Sequence, residues 1–112
     1  MLKEATRQAI STEILISLKS DKAVETVKAA RDIFHAEWND NDIQLLCEHV
    51  KEHGANDWAS EIWENDVDQI FKQIHLFTLK ATDFQLVLWL KKIWKNDEKT
   101  LKFLCSCEQE LN

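Results

Sequence analysis

His49-Val50-Lys51-Glu52-His53 follows the H-x-x-E-H spacing with which one class of zinc peptidases holds its metal. On a helix the two histidines stand one turn apart and can share a zinc ion, with Glu52 beside them as general base. The surroundings argue against that chemistry. The pattern sits in the last turn before Gly54, in a chain of 112 residues that offers no cleft and no evident third ligand. Two histidines and a lysine stabilising the negative end of a helix dipole are the ordinary explanation. Cys105-Ser106-Cys107 with Cys47 is a second metal candidate. Thiols two residues apart on a helix diverge by about 200°, which suits shared ligation poorly. Cys47 and Cys105 instead fit apolar stripes, where cysteine behaves as a small hydrophobe.

Paired carboxylates fare no better. Glu61-x-x-Glu64 has part of the spacing with which helical NTP pyrophosphatases surround magnesium, but both glutamates fall on a solvent-side stripe. A second such pair on an adjacent helix is missing. One glycine excludes a glycine-rich phosphate loop. The expectation is a protein that is not an enzyme, with no catalytic residue, no cofactor and no metal.

The strongest feature is charge that is sorted along the chain. Residues 36–68 hold ten acidic side chains against the single Lys51, a local net charge of −9, and three of the five tryptophans. Residues 1–35 carry six basic groups against five acidic, and residues 69–112 carry seven against five. The formal −6 is therefore an acidic middle between two slightly basic ends. Such a distribution becomes a surface field that selects partners. Lys91, Lys92, Lys95, Lys99 and Lys102 form a modest basic cluster, yet a domain this acidic repels phosphate, so direct nucleic-acid binding is not expected.

The elements that position these residues follow from composition and period. Hydrophobic content of 45% with 30% charge is that of a globular chain. Proline is absent and glycine occurs once, which leaves few corners for β-hairpins and points to helices with short connections. The expected fold is one all-α domain over residues 1–112, a compact bundle of five to six helices, at most seven. Three cysteines do not make a disulfide framework. The N-terminus lacks the apolar core of a signal peptide, and the longest apolar run, Leu86 to Leu90, falls far short of the ~20 residues that cross a bilayer. A cytoplasmic protein without membrane contact is the expectation.

Helix by helix, residues 2–19 carry Leu2, Ala5, Ala9 and Ile16, flanked by Ile10, Ile14 and Leu18, as a broad apolar stripe. Ser20 or Asp21 caps a second helix whose inner face is Val24, Val27, Ala30, Phe34 and Trp38. Asn41 and Gln44 have the shape of a capping box opening a third helix, with Ile43, Leu46, Cys47 and Val50 inward and Gly54 closing it. Over 57–79, Ala59, Ile62, Trp63, Val67, Ile70, Ile74 and Phe77 share one arc, with Asp57, Glu61, Glu64 and Asp68 opposite. Asp66 interrupts the apolar arc. Either the helix breaks at Glu64-Asn65 and restarts, which is favoured, or Asp66 is buried against a cation. Thr82 and Gln85 form a stronger capping box. The helix behind it, Phe84 to Trp94, is apolar on most sides and must be surrounded by others or covered by a partner. Asn96 and Asp97 start a last helix with Leu101, Phe103, Leu104 and Cys105 as its apolar residues. The Asn41 and Thr82 segments lie 41 residues apart. That echo suggests HEAT-like helical pairs, or more simply one capping logic used twice.

Trp63, Trp89 and Trp94 fall on core arcs, whereas Trp58 lies on the border of the acidic stripe, where an aromatic can anchor a protein interface. Acidic helical domains of this length resemble, in size and charge, the immunity proteins that neutralise bacterial nuclease toxins, such as those of colicins and contact-dependent inhibition systems. The resemblance implies a basic partner, a toxin or nuclease domain, held by Glu48, Glu52, Asp57, Glu61, Glu64 and Asp68, with Trp58 as apolar anchor. The alternative is a structural or adaptor subunit that self-associates, as a homodimer for example, through the apolar helix 84–94.

Overall fold

In the computed structural model, residues 1–53, 66–95 and 97–111 are described, with the side chains of 49–51, 53, 66–69 and 71 not included. The chain is all-α. Among the described residues six helices follow one another: α1 Glu4–Ser17, α2 Ala23–Phe34, α3 Asp40–His53, α4 Asp66–Lys80, α5 Asp83–Ile93 and α6 Glu98–Leu111. No described helix is long and apolar enough to cross a membrane.

The bundle is organised around α5. Its Leu86, Trp89 and Leu90 are fully buried and Ile93 is 1% exposed. It is covered by α2 and α1 on two sides and by α6 on a third. The need of this helix for surrounding apolar surface is thus met within the chain on every side but that of Phe84 and Leu88. Each large aliphatic side chain buried here contributes on the order of 1.5–3 kcal/mol. On α2 the buried face is Ala23, Thr26, Val27, Ala29 and Ala30, most of them small side chains. Phe34 from α2 stacks on Phe77 from α4 at 4.3 Å and meets the edge of Trp89 at 5.4 Å, joining three helices through aromatic rings.

The Thr82 capping box forms as its sequence predicts. Gln85 N–H donates to Thr82 Oγ1 at 3.1 Å, and Thr82 N–H donates to Gln85 Oε1 at 2.9 Å. The box at α3 forms two residues earlier than its sequence suggests. Asn39 is the cap, accepting from Asp42 N–H at 2.8 Å, while the Asp42 carboxylate accepts from Asn39 N–H at 3.2 Å. Aspartate substitutes for the expected Gln44, whose amide instead donates to Glu48 one turn on. The two boxes share a chemistry, and they open the helices that follow α2 and α4.

Three inward faces differ from expectation. On α1 the core side is Ile10, Ile14, Ser17 and Leu18, whereas Ala5 and Ala9 are exposed and Ile16 is 45% exposed. A residue four after Ile10 and another four after Ile14 stay over the same groove, and Ile16 turns away. On α6, Leu104 and Cys107 are buried, while Leu101 and Cys105 are exposed. Helix α2 stops at Phe34 and not at Trp38. His35 takes a left-handed conformation with φ 55°, which reverses the chain and lets Trp38 pack inward from the connection. The expected break at Glu64-Asn65, the buried alternative for Asp66 and the closing role of Gly54 lie outside the described residues.

Candidate protein-binding face

Helix α3 carries Asp40, Asp42, Glu48 and Glu52 of the acidic region. Ile43, Leu46 and Cys47 are buried and fasten it against α2 and α4. With those three turned inward, helical geometry turns Leu45, Glu48 and Glu52 outward. All three are exposed, Leu45 to 48%. Glu48 and Glu52 stand one turn apart on the same face, and the Gln44 amide donates to Glu48 Oε1 at 3.1 Å. The face is thus two adjacent carboxylates beside one exposed leucine.

Asp40 and Asp42 are engaged in the joint between α2 and α3. Arg31 Nη1 donates to Asp40 Oδ1 at 3.0 Å and to the carbonyl of Trp38 at 3.2 Å, fastening the start of α3 to the end of α2. The hydrogen bond and charge of Arg31 hold the Asp40 carboxyl below the usual carboxylate range. Asp42 is occupied by its capping box. These two are therefore weak candidates for a partner.

Of the seven residues expected at the interface, Glu48 and Glu52 are brought together on one exposed face. Asp57, Trp58, Glu61 and Glu64 lie outside the described residues. Asp68 is in the first turn of α4, and its side chain is likewise outside them. Trp38, Trp89 and Trp94 serve the fold. Trp89 and Trp38 are buried, and Trp94 is half-buried with Lys22 Nζ 5.9 Å from its ring centre.

A second exposed strip escaped the sequence reading. Opposite its buried side, α5 presents Phe84, exposed to 67%, the half-buried Leu88, and then Lys91 and Lys92. Lys95 continues it in the turn after the helix. Phe84, Val87 and Leu88 line a groove of about 310 Å³ with Leu111 of α6, bordered by an ion pair between Lys91 and Glu108 at 3.2 Å. The signal was present in the sequence: positions 84, 88 and 91 share one face at helical spacing. The abundance of apolar residues on the other side concealed it.

The fold defines a class, a small all-α helical bundle. No protein-family model, curated protein or solved structure matches the chain.

Proposed function

We propose that this chain is a non-enzymatic binding protein that docks its acidic helical face on a basic partner, in the manner of an immunity protein neutralising a nuclease-like toxin domain. The observation that carries this reading is the excess of ten acids over one lysine in residues 36–68, with Glu48 and Glu52 held side by side on the outward face of α3. A nuclease domain is basic because it binds phosphate. An acidic inhibitor meets it by electrostatic steering at rates near ~10⁸ M⁻¹s⁻¹ at low salt. Leu45 supplies apolar contact beside the carboxylates, and Asp57, Trp58, Glu61, Glu64 and Asp68, from the same acidic stretch of sequence, are the further residues proposed to take part.

The test is association of the purified chain with a basic nuclease domain encoded beside it. The association rate should fall steeply as salt rises, and Glu48→Lys with Glu52→Lys should slow it further. A salt-insensitive rate together with unchanged affinity in that double variant sinks the reading.

Self-association through α5 is the second reading, and the exposed Phe84 favours it. Since Trp89 and Leu90 are fully buried, only the Phe84–Lys91 strip is available for such a contact.

A further inference from the structure

Helices α3 and α5 present outward faces that match in spacing and oppose in charge. On α3 the exposed residues Leu45, Glu48 and Glu52 stand at positions i, i+3 and i+7. On α5, Leu88 and Lys91 repeat the first of these intervals, with Phe84 one turn before Leu88 and Lys95 in the turn after the helix. Within one molecule the two faces are apart, since α3 packs on α2 and α4 while α5 packs on α1, α2 and α6. We propose that they meet between molecules: α3 of one copy lies on the α5 strip of the next. Leu45 seats against Leu88 and Phe84, Glu48 meets Lys91, and Glu52 meets Lys95.

The contact is heterologous, since the surface given by one molecule differs from the surface given by its neighbour. It leaves one acidic face and one basic strip unfilled at the ends of each assembly. A single helix pair buries less than the roughly 800 Å² per partner of a standard interface, so the association is weak and shows at high concentration. A nucleic acid fits the strip less well. Its apolar half, Phe84 and Leu88, has no use for phosphate, whereas Leu45 of a neighbouring α3 can cover it. The contact uses Glu48 and Glu52, as the docking reading does, but does not depend on it. A second copy and a basic partner would compete for the same carboxylates.

Sedimentation velocity on the full chain, from roughly 10 µM to 1 mM, tests the contact without any toxin domain. The average mass should rise with concentration. Glu48→Lys and Lys91→Glu should each weaken association about tenfold, because each places like charges in contact. Both exchanges in one chain should restore it. Glu48 and Lys91 are exposed, so far-ultraviolet circular dichroism should show all three variants folded. A monomer at every concentration overturns the proposal. So does association that neither reversal weakens, or a double variant no better than the singles. Binding of a single-stranded oligonucleotide that Lys91→Glu abolishes, in a chain that stays monomeric, would reassign the strip to nucleic acid and overturn it as well.

Discussion

The indole Nε1–H of Trp89 donates to the backbone carbonyl of Thr26 at 2.9 Å, across 63 residues of chain and inside the core. This bond fixes the orientation of the largest fully buried side chain among the described residues and ties α5 to the first turn of α2. A buried indole needs such a partner, because an unmet N–H costs about 1–3 kcal/mol. Trp89→Phe should therefore lower unfolding free energy by about 1–3 kcal/mol through the lost bond and the smaller ring. Trp89→Ala should cost about 3–5 kcal/mol. Urea unfolding followed by circular dichroism measures both. Loss of an oligomer without loss of stability would contradict the burial of this residue.

Ser17 and Thr26 hold a second buried joint, with their hydroxyl oxygens 2.6 Å apart. Ser17 also reaches the carbonyl of Ile14, and Thr26 that of Lys22. Two hydroxyl protons cannot serve three contacts at once, so the pair shares them. Ser17→Ala or Thr26→Val alone should cost about 1 kcal/mol. The double variant should cost less than the sum, because removing both partners leaves no unmet group. A double-mutant cycle by chemical denaturation reads the coupling directly, and strict additivity would count against the shared bond.

Arg7 and Asp83 clasp α1 to the start of α5 at 2.7 Å, and Arg7 also donates to the carbonyl of Ala81. Asp83 accepts from the N–H of Leu2 at 3.0 Å. That backbone bond, then the side-chain bond and charge of Arg7, lower the Asp83 carboxyl below its ordinary range despite partial burial. A depressed carboxyl stabilises the fold above its unfolded pKa of about 3.9, and the contribution disappears as pH falls through the lower folded value. Stability should therefore decline below about pH 4, less steeply in Asp83→Asn, which lacks the titrating group. Arg7→Met should cost about 1–2 kcal/mol at neutral pH, discounted for its partial exposure. Thermal melts across pH 2.5–7 (roughly the carboxyl range and above) check the sign.

His35 stands left-handed at the end of α2, a conformation that a side chain with Cβ adopts at a cost of roughly 1–2 kcal/mol. His35→Gly should raise stability by about 0.5–1 kcal/mol, since part of the gain is offset by the greater freedom of glycine in the unfolded chain. A higher thermal midpoint is expected, and a lower one would mean that the imidazole itself stabilises the turn.

Local chemistry was the most legible part of the sequence. The Thr82–Gln85 box and the inward set Ile43, Leu46 and Cys47 could be read directly, because caps and helical period involve residues within a few positions of each other. Asn39 to Asp42 all carry side chains that can cap a helix, and in the structure Asn39 caps while Arg31 pairs with Asp40, a partner nine residues away. The exposure of Ile16 and Cys105, like the Arg7–Asp83 clasp, depends on neighbours distant in sequence. Period alone could not supply them. At the candidate site, the outward placement of Glu48 and Glu52 followed from the inward residues of their own helix.

The helix at the centre of the core is the fifth of the six described helices to leave the ribosome. When α1 and α2 have been synthesised, Ile10, Ile14, Val27 and Leu18 have no α5 to bury them. Translation proceeds at about 5–20 residues per second, so these faces stay uncovered for seconds before residues 83–93 emerge. Consolidation therefore waits on residues 83–93, well after α1 and α2 have emerged. Any pause before that segment emerges prolongs the interval in which the nascent protein is open to aggregation and to chaperones.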